Sequence, residues 1–153
     1  MALATHDDTT LAHVEEAQGL GASMSEFPTT LLAAREAKAR GLCTVAGAPN
    51  VVRGGSHSGN VAAIELAREG VLDGLSSDYV PSSLLQAAWA LRREAGFSPD
   101  EAMALVSLNP ARAAGLHDRG QIALGLRADL LRVREVDGHP VVRAVMVNGR
   151  RVA

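Results

Sequence analysis

Short apolar runs and amphipathic stretches take turns along this chain; the runs end in polar residues and the amphipathic stretches end in glycine. Ala2 to Ala4 reads as the stub of a strand. From Thr9 to Gly19 the residues Leu11, Val14 and Ala17 recur at the spacing of one helix face, and Gly19 and Gly21 stop that helix. Ala22 to Phe27 is a second short strand, followed by an alanine-rich amphipathic helix from Pro28 to Arg40 that Gly41 ends. Leu42 to Ala46 is a third, buried strand, and Val61 to Glu69 a helix for which Asn60 is the expected N-cap. Val71 to Leu75 is a fourth apolar run, and Pro81 to Ala95 a helix with Leu84, Leu85, Ala88 and Leu91 at helical spacing.

Ser98-Pro99-Asp100-Glu101 carries the marks of a helix start: a serine cap, proline in the first turn and a glutamate placed to close a capping box. That helix should run to about Leu108, with a short one from Asn109 to Ala114. Beyond it the pattern changes to period two. Asp137-Gly138 and Asn148-Gly149 are tight-turn dipeptides flanking the alternating run Val141 to Val147, so the tail reads as a small β element.

Strict alternation of strand and helix with short connections is the signature of parallel βα units, four of them here. Ligand sites in such folds gather at the carboxyl ends of the strands. Those ends hold His6-Asp7-Asp8, Glu26, the segment Asn50 to His57, and Asp78. The segment Gly47 to Asn60 is read as a loop whose glycines let backbone amides converge on phosphate oxygens, with Arg53 adding a planar fork; a plain flexible connection is the alternative.

Composition narrows the function. The chain has 153 residues, 47% hydrophobic and 21% charged, with a formal net charge of −2. That is an ordinary globular balance, and the absence of a basic stripe together with one Trp, one Tyr and two Phe argues against nucleic-acid binding. Apolar runs fall short of the ~20 residues that cross a bilayer, and the first residues lack the layout of a secretory signal. Cys43 is the sole cysteine, which excludes an internal disulfide and fits a reducing cytoplasm; in its strand it reads as core filler. The motifs of P-loop nucleotidases, α/β-hydrolases and zincins are missing. A chain that opens so shortly before His-Asp-Asp is expected to begin inside a domain.

Each candidate residue has two readings. His6 offers an imidazole to a metal or a proton; Asp7 and Asp8 are either helix caps or groups supporting a ligand. Glu26 is a ligand or first-turn charge for the next helix, and Asp78 a metal ligand and base or a turn residue. His57 is a phosphate partner or a surface group. His13, His117 and His139 read as structural.

Taken together, His6-Asp7-Asp8-Thr9-Thr10, Glu26-Phe27-Pro28-Thr29-Thr30, Gly47-Ala-Pro-Asn50, Arg53-Gly-Gly-Ser-His57-Ser-Gly-Asn60 and Ser76-Ser-Asp78-Tyr79 resemble one family. It is the ribose 1-methylphosphonate 5-triphosphate diphosphatase family of the carbon–phosphorus lyase pathway, within the amidohydrolase superfamily; Gly120-x-Ile-x-x-Gly125-x-x-Ala128-Asp129-Leu is similar to the superfamily's closing segment. The resemblance implies the C-terminal half of a (β/α)8 barrel over residues 1–114 and a β-strand tail of a small β-sandwich over 115–153. It implies a divalent metal, zinc or another borderline cation, held by His6 and Asp78, with Asp78 also the base; Glu26 stands where the superfamily usually has histidine. Arg53, Gly54, Gly55, Ser56, His57 and Asn50 would bind the phosphates of a small-molecule substrate. The metal-binding groups of the first and fourth strands are absent from the chain. Self-association or a missing N-terminal half, and binding without turnover, are therefore expected.

Overall fold

The computed structural model describes residues 2–56 and 58–153. Its first half is a four-stranded parallel sheet in sequence order, made of β1 (Ala4–His6), β2 (Met24–Glu26), β3 (Cys43–Gly47) and β4 (Gly74–Ser76). β2 and β4 are shorter than their apolar runs, the buried Val71 and Leu72 lying in the loop ahead of β4, whereas β1 and β3 keep the length of theirs but begin two and one residues later. Helices α1 (Leu11–Gly19), α2 (Leu31–Ala39), α3 (Ala48–Arg53), α4 (Ala63–Arg68) and α5 (Ser83–Glu94) fill the connections, and α6 (Pro99–Ala104) and α7 (Leu108–Ala113) follow.

Capping chemistry sets the helix starts. Thr10 and Thr30 cap α1 and α2 by accepting from the amides of His13 and Ala33, so both helices begin later than the apolar pattern suggests, and neither Asp7 nor Asp8 is a cap. The expectation that Asn60 caps α4 is also corrected. Asn50 Oδ1 accepts from the Ala63 amide at 2.9 Å, from across the preceding loop.

The capping box of α6 forms as expected, with Ser98 Oγ accepting from the Glu101 amide and Glu101 Oε2 accepting from the Ser98 amide. Hydrogen bonding from Ser98 to the carboxyl, from its backbone amide first and then from its side chain, holds the Glu101 carboxyl below its ordinary value. A depressed carboxyl stabilises the fold above its unfolded pKa and loses that contribution as pH falls through the folded one. Glu101→Gln is therefore expected to lower the thermal midpoint at pH 7, with the two midpoints converging below about pH 4.

The helices cover one face of the sheet, the face carrying the buried Ser25, Thr44 and Ala46. Met24, Glu26, Cys43 and Val45 alternate with them and are half-buried, so the third strand is covered on one side only, where its apolar run suggests two. The Cys43 thiol is pushed up to about 11, by burial first and then by the Asp73 carboxylate, which suits a filler rather than a nucleophile.

Among the described residues β1 and β4 are the sheet's two edges. The outer side of β4 is met by the chain after α6, where the Leu75 amide donates to the Leu105 carbonyl at 2.8 Å. A main core joins α3, α4, α5 and β4, and a smaller one lies between α1 and α2; alanine dominates both.

The tail is an antiparallel sheet of β5 (Leu130–Val136), β6 (His139–Val147) and β7 (Arg150–Arg151). Asp137 and Gly138 have φ of 50° and 77°, and Asn148 and Gly149 50° and 75°, the paired positive values of primed hairpin turns. The sheet leans on α5. Trp89 Nε1 donates to Glu135 Oε2 at 2.7 Å, the Arg92 guanidinium lies 5.2 Å from the Trp89 ring centroid, and Arg93 Nη1 donates to the Gly138 carbonyl.

Candidate functional site

All four parallel strands end at the same rim, and register pairs His6 directly with Glu26 on neighbouring strands. A cleft of about 160 Å³ opens there, lined by Asp7, Phe27, Gly47, Asn50, Arg53, Gly55, Ser56, Asp78 and Tyr79 among others. So Asp7, Asn50, Arg53, Ser56 and Asp78 share one cavity. His6 and Glu26 stand beside it rather than in its wall, Gly54 is outside it, and His57 lies outside the described residues.

The rim is also where the backbone is least comfortable. Among the described residues five non-glycine positions have positive φ; two sit in the hairpin turns and the other three are Asp7 at 59°, Phe27 at 55° and Asp78 at 49°. Each of those three follows a parallel strand within two residues. Torsions of this kind cost free energy and cluster where function holds side chains in place.

The segment Gly47 to Asn60 is the largest departure from the sequence reading. Instead of an open glycine loop it begins with α3, which Pro49 starts and Gly54 ends in a left-handed turn. Buried Ala48 and Val51 bind that turn to the core, a three-residue spacing that the glycines obscure. The Gly54 amide donates to the Val51 carbonyl and the Gly55 amide to the Asn50 carbonyl, at 3.1 and 2.9 Å. Both amides are consumed by the helix end, so the phosphate-cradling role expected of Gly54 and Gly55 is corrected. Arg53 remains as the exposed cation of this wall, its Nη1 donating to the Tyr79 hydroxyl at 3.3 Å. Asn50, as the cap of α4, is tied up at its side-chain oxygen.

Asp78 has a prepared seat. A Cβ added to Gly47 would stand 3.2 Å from Asp78 Oδ2 and 3.6 Å from Phe27 Cε1, so the carboxylate and the ring both border the space that the bare α-carbon leaves open. Phe27 also meets the His6 imidazole edge to face, with centroids 5.1 Å apart at 89°. On the other side of that imidazole, His6 Nδ1 is 3.0 Å from Asp7 Oδ2, which leaves Nε2 to a ligand. Asp8 serves the scaffold: its buried carboxylate accepts from Thr5 Oγ1 and Ser25 Oγ, both at 2.6 Å. Phe27 and Tyr79 line the cleft but were given no role by sequence reasoning, and Gly47, read there as part of a phosphate loop, instead makes room for Asp78. Only Tyr79, directly after Asp78, lay within a quoted motif as a polar group.

Among the described residues no three His, Cys, Asp or Glu side chains gather closely enough to hold a metal ion. The donors present still match one in kind. An imidazole with its second nitrogen engaged and a carboxylate cradled over Gly47 are the ligand types of a borderline divalent cation. No described helix is long and apolar enough to cross a membrane.

Comparison with known proteins agrees with this fold. The family described as Amidohydrolase family matches residues 3–152. A relative from Escherichia coli, Alpha-D-ribose 1-methylphosphonate 5-triphosphate diphosphatase, is 51% identical over 99% of this chain and 41% of its own length. An Imidazolonepropionase from a Ruegeria species is 42% identical over 71 residues, 43% of this chain and 18% of the relative. Among solved structures, an amidohydrolase from Thermotoga maritima superposes with a TM-score of 0.76 at 21% identity, over 100% of this chain and 43% of that one. This chain thus spans less than half the length of these proteins, and the structural likeness shows a shared α/β fold with a parallel sheet.

Proposed function

The chain belongs to the amidohydrolase family, and from that premise we propose that it forms part of a hydrolase that cleaves alpha-D-ribose 1-methylphosphonate 5-triphosphate to the 5-phosphate and pyrophosphate. One observation carries the reading: the cleft at the strand ends sets the Arg53 guanidinium and the Asp78 carboxylate in the same wall, a cation for polyphosphate and a base for water. Asp78 takes the proton of the attacking water, while Arg53 neutralises charge that builds on the departing pyrophosphate. His6 and Asp78, with Glu26 and Asp7 near them, are the residues that would hold a divalent metal, zinc by preference of the imidazole. When bound, that ion supplies Lewis acidity toward water and phosphoryl oxygen.

Residues 1–114 then constitute part of a (β/α) barrel and 115–153 part of an accompanying β-sandwich. The edge position of β1 among the described residues supports an assembly completed by further barrel strands or a second copy, with binding but no turnover in this chain by itself. A reducing cytoplasmic setting agrees with the lone Cys43.

Titration with inorganic tripolyphosphate tests the core of this. Wild type is expected to bind, and Arg53→Ala to weaken binding roughly tenfold at low salt, the worth of one charge-assisted contact. Equal binding by both would sink the polyphosphate reading. Pyrophosphate release by the chain unaided would overturn its incompleteness. The partial match to imidazolonepropionase favours one other reading, hydrolysis of a C–N bond, and an Arg53 that is dispensable for binding would point there.

A further inference from the structure

The geometry points to Phe27 as a positioning residue of this site, one that fixes the His6 imidazole and walls the seat of Asp78; the assignment rests on the reading of His6 and Asp78 as ligand-holding groups. Phe27 has φ of 55°, a left-handed value that a bulky side chain rarely adopts. It also precedes Pro28, and residues before proline favour extended backbone with negative φ. Its amide donates to the Val45 carbonyl at 2.8 Å, so the turn is held by the neighbouring strand. Glycine at this position would meet the same torsion without strain. The ring is therefore what the position retains.

That ring has two contacts that matter. On one side it meets His6 edge to face, at 5.1 Å and 89°, an arrangement that aromatic quadrupoles prefer and that restrains the imidazole's rotation. On the other it borders, as Asp78 Oδ2 does, the space that the bare Gly47 α-carbon leaves open. Asp7 engages the imidazole at Nδ1, and the Phe27 ring meets it edge to face. His6 is more than half exposed, so without these two neighbours nothing described would keep its imidazole in one rotamer.

The test uses the chain without metal first. In wild type and Phe27→Tyr, the His6 imidazole is expected to show one rotamer by its χ1 couplings and cross-relaxation to the residue-27 ring. Phe27→Leu keeps the strained torsion and the apolar bulk, yet His6 should become rotamer-averaged. Phe27→Gly should do the same while holding or raising the thermal midpoint, which a residue of purely structural value would lower. A His6 that stays fixed in the Leu and Gly variants overturns the assignment. Zn²⁺ titration against a chromophoric chelator then separates the two layers. Affinity about tenfold weaker in Phe27→Leu than in wild type supports positioning. Equal affinity in both overturns it and leaves the metal reading intact. No uptake by wild type, with His6 ordered by Phe27, removes the metal reading and leaves the positioning.

Discussion

Leu91→Ala is expected to cost about 4 kcal/mol, toward the upper end of the range for a buried leucine truncated to alanine. Leu91 is fully buried in α5, within the cluster that joins this helix to α3, α4 and β4. The size of such a loss depends on how far the surroundings can close over the vacated space. Here the cluster includes Ala48, Ala63, Ala67, Ala87 and Ala90, all on helices. An alanine has no side-chain torsion with which to swing into a hole, and moving it means moving a helix. The cavity therefore persists. Urea unfolding with an unchanged slope should report the loss, and Leu32→Ala, on an exposed position of α2, should stay within about 0.5 kcal/mol of wild type. A Leu91→Ala loss below about 1.5 kcal/mol would show that the core repacks and that the alanine argument is wrong.

The same alanines explain what the sequence made legible. Regular spacing of small and apolar residues marked every long helix, and the period-two tail with its Asp-Gly and Asn-Gly turns marked the hairpins, because these signals are local. The capping box at Ser98 is local as well. The segment from Gly47 to Asn60 was misread for the opposite reason. Its glycines and serines outweighed the buried Ala48 and Val51, and a six-residue helix offers too few positions for a periodic signal. Cap assignment failed where the partner is distant in sequence: Asn50 supplies the cap of α4, thirteen residues on, and no local pattern announces it. Phe27 was quoted as part of a motif but given no role, since its left-handed torsion and its contact with His6 exist only in the folded chain. His6, Glu26 and Asp78 could be placed at strand ends from sequence; that Asp78 sits over Gly47 could not.

Asp8 shows most directly how scaffold and site depend on one another. Sequence reading left Asp7 and Asp8 as interchangeable caps or supporting groups, and the fold separates them completely. Asp7 is exposed beside His6, whereas Asp8 is turned inward and 3% exposed. Its Oδ2 accepts from Thr5 of β1 and Ser25 of β2, the residues just before His6 and Glu26. One carboxylate thus ties together the two strands whose last residues face each other in register. Asp8→Ala is expected to cost about 3 kcal/mol, because hydrogen bonds to a charged acceptor are lost and the Ser25 hydroxyl, fully buried, is left without a partner. Asp8→Asn keeps an acceptor oxygen and should cost about 1 kcal/mol. The double variant Asp8→Ala with Ser25→Ala removes the orphaned hydroxyl and should recover part of the loss, so the two changes will not add. If the single and double variants lose stability additively, the carboxylate is not the tie between β1 and β2, and the placement of His6 against Glu26 must come from the backbone ladder alone.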